Sequence, residues 1–258
     1  METREELLLA LQVVEKWEKD QKDLWFWEKL GRLPFALLDK VTPKFVQEKV
    51  GQVLDEMISY VETGGRYLTS SQGIVEKFEK KTGTAPLTLE QVGQVPLAIQ
   101  NEVAREYAKA RSTFATIQGA TTGIGGLFTL AIDIPMLLGL SLKVLQEVCM
   151  CYGFDPQDKS ERVFMIKVLQ FSSSDYVGKQ AILSEERSQL FSQLQGWREV
   201  VLIHAENFGW KKLFQLIPVA GIVFGAYLNR KTIEDLAETA SMMYRKRRIL
   251  ERLQVEMV

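Results

Sequence analysis

Between Arg111 and Lys143 the chain carries one ionisable residue, Asp133. A stretch of that length without charge has two outlets: burial against protein, or contact with lipid. As one continuous helix, 112–142 would run about 46 Å at about 1.5 Å per residue, longer than the roughly 30 Å hydrocarbon core of a bilayer. It does not read as one helix. Gly119, Gly123, Gly125 and Gly126 crowd its first half and Pro135 interrupts its second, and a run of glycines is where a helix gives way to a turn. Two readings follow: a pair of core helices joined by that turn, or a short hairpin that enters a bilayer without crossing it.

Asp133 sits among Ala131, Ile132, Ile134 and Met136, so it must be hydrogen-bonded, paired or protonated. Asp133-Ile134-Pro135 reads first as a helix start, with Asp133 as N-cap and the proline in the first turn. A functional carboxylate in a polar pocket is the alternative.

A second uncharged run, 213–229, has Lys211 and Lys212 before it, Arg230 and Lys231 after it, and Pro218 inside it. It is at the short limit for spanning a membrane, and basic pairs at both ends do not suit a span biased to one side. Both ends on one membrane face, or burial in a bundle, fits better. Gly221 and Gly225 form a small-xxx-small pair that admits a close helix, so Gly119 and Gly123 are expected to face Gly221 and Gly225.

The rest of the chain reads as helices. They are expected at 2–30, from Thr42-Pro43 to Gly64-Gly65, and at about 70–81, ended by Gly83. Thr88 and Gln91 make a capping box, a longer helix follows Pro96, and Gly153 is placed as the C-cap glycine of the helix through Val144 and Val148. Further helices are expected at about 157–171, 175–195 and 196–208, and Thr232 is expected to cap a last one. No segment alternates over strand length, so the fold class is all-α, a compact multi-helix bundle in which two glycine-containing apolar hairpins pack together. A helical region at 1–84 precedes a helical domain at 85–258, and the two read as one continuous domain. Trp25 and Trp27, beside Lys22 and Lys29, suit a core-capping cluster or a membrane interface. Arg245, Lys246, Arg247 and Arg248 read as a solvated face, with attraction to phosphate as the alternative.

Several chemistries lack their residues. The 258 residues have 46% hydrophobic and 25% charged side chains and a formal net charge of -1, which is ordinary for a globular chain and leaves no footprint for nucleic acid. His204 is the single histidine, too few for a zinc pair or a Ser-His-Asp set, and it reads as packed. Gly178-Lys179-Gln180 lacks the rest of a phosphate-binding loop, and Gly123-Ile124-Gly125 lacks the third glycine of a dinucleotide fingerprint. No metal and no cofactor is expected. Cys149 and Cys151 point apart on a helix, and two cysteines make no disulfide framework, which suits a reducing cytosol. The opening residues are charged and acidic, unlike a secretory signal, so a membrane would be met from the cytoplasmic face. The polar residues left in apolar surroundings are Asp133, Gln146, Glu147 and Asn229. Asp133 and Glu147 share a helix face about 21 Å apart, too far to hold one ion together. They read as a packing network or as a ligand pocket.

Ala131-Ile132-Asp133-Ile134-Pro135, Gln146-Glu147 and Cys151-Tyr152-Gly153-Phe154-Asp155-Pro156 resemble the EcsC protein family. So do Leu216-Ile217-Pro218-Val219-Ala220-Gly221, Gly225-Ala226, Asn229, Ala240 and Tyr244-Arg245, and the resemblance covers about residues 85 to 250. The family is named from an operon that also encodes an ABC transporter, which implies a membrane context and no defined activity. The functional expectation is a non-enzymatic accessory or adaptor protein at the cytoplasmic face of a membrane, with lipid or a membrane protein such as a transporter as partner. The alternatives are a soluble helical carrier of a lipid or other hydrophobic ligand, and an enzyme using Asp133 and Glu147.

Overall fold

The computed structural model describes residues 2–21, 52, 55, 59–60, 69–84, 87–122, 127–173, 179 and 220–255. Among them every regular element is helical: α1 (Arg4–Lys19), α2 (Ser71–Thr82), α3 (Leu89–Val92), α4 (Leu97–Thr122), α5 (Leu127–Cys151), α6 (Lys159–Ser173) and α7 (Ala220–Val255). The all-α expectation holds. Trp25, Trp27, Gly123, His204, Lys211, Lys212 and Pro218, with the helices expected at 175–195 and 196–208, lie outside the described residues.

Local chemistry sets the ends of these helices. Thr3 and Glu6 close a capping box on α1, and Thr88 and Gln91 close one on α3, each satisfying amides that a helix start leaves unpaired. Helix α1 stops at Lys19 with Asp20 as its C-cap, shorter than the 2–30 expected. At the end of α5, Gly153 adopts φ 77°. Its N–H donates to the Met150 carbonyl at 2.9 Å, and the Phe154 N–H reaches Cys149 at 3.2 Å. That pair of bonds is a Schellman closure, which needs a residue in the left-handed region.

Two sequence boundaries do not exist. Asp133 is no N-cap: α5 runs through it and through Pro135, because side chains from two other helices satisfy the carboxylate where it stands. Thr232 caps nothing, since α7 continues through it for 36 residues, about 54 Å. The second uncharged run is, from Ala220 onward, the first turns of that long helix. The turns that would make either stretch a hairpin, at 123–126 and before 220, lie outside the described residues.

Helices α4, α5 and α7 form the core. Gln118 meets Asp133, and Arg111 meets Glu147, so α4 and α5 are antiparallel. Asn229 meets Asp133 and Arg248 meets Tyr152, both 96 residues apart in sequence. Helices α5 and α7 therefore run parallel in constant register over about 28 Å. Leu138, Leu145, Val148, Met150, Ile233, Leu236 and Ala240 are buried between these helices, with Ile74, Phe78 and Phe171 added by α2 and α6. Helix α1 lays Leu7 and Val14 on Leu97 and Ile249.

Backbones touch where α4 crosses α7. A Cβ built on Gly119 would stand 2.2 Å from the Gly225 carbonyl oxygen, so the expected contact between these two glycines is present. Gly221 lies on α7 one turn earlier. Gly119→Ala should lower stability by about 1–3 kcal/mol, as overpacking of a fixed contact does. Gly139→Ala, inside α5 with nothing within 4 Å of the new methyl, should raise it by about 0.5–1 kcal/mol. Urea unfolding of the two variants checks the contrast. Gly83 and Gly153 give a second one. Both have positive φ, but Gly83 faces open space while a Gly153 Cβ would meet the Gly93 amide nitrogen at 2.3 Å. Gly83→Ala should cost about 1–2 kcal/mol from backbone strain alone, and Gly153→Ala clearly more; the unfolding midpoints of the pair measure the difference.

Candidate functional site

The four polar residues singled out in the sequence are all fully buried: Asp133, Gln146, Glu147 and Asn229. They do not form one site. Asp133 Oδ1 accepts from Gln118 Nε2 at 2.9 Å and from Asn229 Nδ2 at 3.1 Å. One carboxylate oxygen thus ties α4 and α7 to α5. Four turns on, Glu147 accepts from Arg111 Nε at 2.8 Å and Nη2 at 2.7 Å, and from Thr69 Oγ1 at 3.0 Å. The fork-on-fork pairing holds the charged form of Arg111, whose pKa is raised first by its hydrogen bond to Glu147. Asn229, free in principle to meet either acid, meets Asp133. Gln146 is on the same helix beside Glu147 and is likewise enclosed.

Sequence reading missed Gln118, Arg111 and Thr69 as partners. Gln118 had a signal: it is an amide inside the uncharged stretch. Arg111 was visible only as the residue closing that stretch, because a sequence separation of 36 from Glu147 says nothing about contact. Thr69 gave none.

The basic run at 245–248 is not a solvated face. Lys246 pairs with Glu18 at 2.9 Å, and Arg247 makes two 2.7 Å bonds to Glu161. Its guanidinium stands 4.4 Å from the ring centres of both Phe154 and Phe164, a cation–π sandwich in a partly desolvated place. Arg248 donates through Nε and Nη2 to the Tyr152 carbonyl at 2.9 and 2.6 Å, capping α5. Buried acids and an exposed helix end draw these side chains inward, and a run of like charge in sequence carries no trace of them. Arg245 alone points elsewhere, into a groove beside α4. Arg230 and Lys231, about three turns into α7, pair with Glu234 at 2.8 Å and Asp235 at 2.6 Å.

Chemically these groups are sealed. Cys149 and Cys151 are free and buried, and burial pushes both thiols up, away from the thiolate that reactivity requires. No group of His, Cys, Asp or Glu among the described residues could hold a metal ion. The exposed chemistry is apolar instead. Phe114 and Ile117 on α4, Ile132 and Met136 on α5, and Ile222, Val223 and Tyr227 on α7 face outward. These seven belong to the two uncharged stretches, while Leu8, Leu9 and Val13 on α1 and Leu250 on α7 are exposed outside them. The contacts Gly119–Gly225, Gln118–Asp133 and Asn229–Asp133 place those stretches at one end of the three-helix core.

The chain is 54% identical over 261 residues to the Uncharacterized protein YdbA of Bacillus subtilis (strain 168), an alignment covering 98% of this chain and 96% of that protein. It is 30% identical over 227 residues to Protein EcsC of the same organism, covering 85% of this chain and 92% of that one. No solved structure matches. The model of the EcsC protein family matches residues 9–249, extending the likeness through α1 and beyond the stretch where its motifs are legible. On this match, and with the Asp133 and Gly153 motifs in their structural places, the chain belongs to the EcsC protein family.

Proposed function

We propose that this protein is a non-enzymatic, membrane-associated accessory or adaptor protein that docks the apolar end of its helix bundle on the cytoplasmic face of a membrane. One observation carries the reading: large apolar side chains on three helices are exposed together at the end where charge is missing. Val223 is 72% exposed and Ile117 60%. Exposed apolar groups gathered at one place mark a binding surface rather than scatter. No helix among the described residues is long and apolar enough to cross a membrane, so the contact would be peripheral or partly inserted. Burial of one such side chain stabilises by about 1.5–3 kcal/mol, and a few together are enough for reversible binding.

Charge placement supports the same orientation. Arg230 and Lys231 follow the apolar turns of α7 directly and stay exposed beside Glu234 and Asp235. Basic side chains at that level suit anionic headgroups. Asp133 and Glu147, the candidates for catalysis, are enclosed and held by Gln118, Asn229 and Arg111, which favours a structural role for both. The family resemblance adds a membrane protein such as a transporter as the partner an adaptor would serve.

The test is co-sedimentation of the full chain with vesicles containing phosphatidylglycerol, beside membrane fractionation from cells. The native chain should pellet with vesicles. The Val223→Asp variant, altered at an exposed position, should keep its unfolding midpoint and bind at least about tenfold more weakly, a loss of about 1.4 kcal/mol. Full recovery of the native chain in the soluble fraction would overturn the reading. A lipid retained there under native mass spectrometry would point to a carrier instead.

A further inference from the structure

A groove of about 590 Å³ runs along the line where α4 and α7 lie side by side. Its walls carry Arg105 and Lys109 from α4 and Arg230 and Arg245 from α7, against two carboxylates, Glu234 and Glu238. Both carboxylates are engaged: Glu234 by Arg230 at 2.8 Å, and Glu238 by the Trp17 indole N–H at 3.0 Å. Among the described residues, Arg105, Lys109 and Arg245 have no carboxylate partner. Arg105 and Lys109 are one helical turn apart and so share a face. The groove therefore keeps a surplus of positive charge that the fold does not use.

The surplus is focused at one end. Asn101, Arg105, Tyr152, Ser241 and Arg245 stand together there. Arg105, Tyr152 and Arg245 all line this groove, and the two guanidiniums oppose the rise that burial gives the Tyr152 phenol. The Tyr152 hydroxyl donates to Asn101 Oδ1 at 2.8 Å, which orients that amide and leaves its N–H groups uncommitted. The Nε of Arg245 is buried and makes no hydrogen bond. A buried donor without an acceptor is costly and rare in a settled fold. The other three cations of the 245–248 run are paired or hydrogen-bonded, which leaves Arg245 as the one open to a ligand. Donors without an acceptor, lining one groove of the size that takes small molecules, suit an anion.

We propose that this groove binds a phosphate-bearing small molecule from solution, with Arg105 and Arg245 gripping the phosphate, Asn101 and Lys109 adding donors, and Ala108, Ala237 and Met242 contacting the rest. Arginine matches phosphate oxygens with its planar fork. A phospholipid headgroup shares that chemistry but not the position. Arg245 lies about 33 Å along α7 from Val223, far beyond the headgroup layer of a bilayer on which the apolar end would rest. The site stands apart from the membrane reading and does not depend on it.

The test is calorimetric titration and thermal unfolding of the full chain with inorganic phosphate and with pyrophosphate, each against sodium chloride of equal ionic strength. Pyrophosphate should bind and should raise the unfolding temperature beyond the chloride control. Arg105→Ala removes an exposed side chain, so it should fold normally and weaken pyrophosphate binding at least about tenfold. Arg245→Met keeps the aliphatic stem and should abolish binding. Val223→Asp should bind pyrophosphate as the native chain does, whatever it does to vesicles. No shift beyond chloride, or the same affinity in Arg105→Ala, would overturn the proposal. So would vesicle binding that depends on Arg105 in a chain that ignores pyrophosphate, since that result assigns the donors to a headgroup.

Discussion

The bonds from Gln118 and Asn229 to one oxygen of Asp133 are the constraint around which the core is arranged. A carboxylate removed from water must be given donors, and short carboxamides supply them only if three helices stand at fixed heights. The Gly119–Gly225 crossing lets α4 and α7 come near enough for both amides to reach the same atom. Either feature alone would be weak. An acid in an apolar stretch without donors destabilises, and a glycine crossing without a polar tie can slide. Together they select one register from the many that a greasy helix interface would tolerate.

That register propagates. With Asp133 and Asn229 aligned, the parallel run of α5 and α7 brings Arg248 level with the end of α5, where helix carbonyls lack partners. The guanidinium meets them at Tyr152. One residue earlier, Arg247 turns to Glu161 between two aromatic rings and fastens α6. Lys246 reaches α1 through Glu18. The C-terminal half of α7 is thus a hub whose successive side chains address different neighbours, as a 100° step per residue requires. Replacing any one of these partners would leave a charge partly buried and alone, which costs far more than an exposed pair is worth.

The sequence shows some of this and hides the rest for physical reasons. Helix type and several ends are local, so the capping box at Thr88 and the Gly153 closure are legible from neighbouring residues. The importance of Asp133 is legible too, since an acid among aliphatics has to be explained. Its role is not. Asp-Ile-Pro is the grammar of a helix start, and what overrides it are donors 15 and 96 residues away. Thr232 misleads in the same way: a good cap residue after a charged pair is also tolerated within a helix whose packing is settled elsewhere. The run at 245–248 fails most fully, because beyond the local Glu251 its acids lie on α1 and α6 and its carbonyl acceptor lies at the end of α5. Contact between Gly119 and Gly225 could be expected from spacing, but nothing local says that Arg111 rather than another cation would find Glu147.

The apolar end and the cationic groove lie on the same two helices, and their separation follows from that construction. Helices α4 and α7 each begin or end in a charge-free segment and carry charges of both signs along the rest. Because they are antiparallel, their apolar segments coincide at one end and their charged parts coincide along the rest. Had they run parallel, each apolar segment would have faced the other's charges, and neither an uncharged tip nor a groove with a cationic surplus would exist. The crossing that fixes their direction is the Gly119–Gly225 contact at the base of the tip. The angle at that contact therefore sets the spacing of Arg105 and Arg245, which lie about 21 and 30 Å from it along their helices.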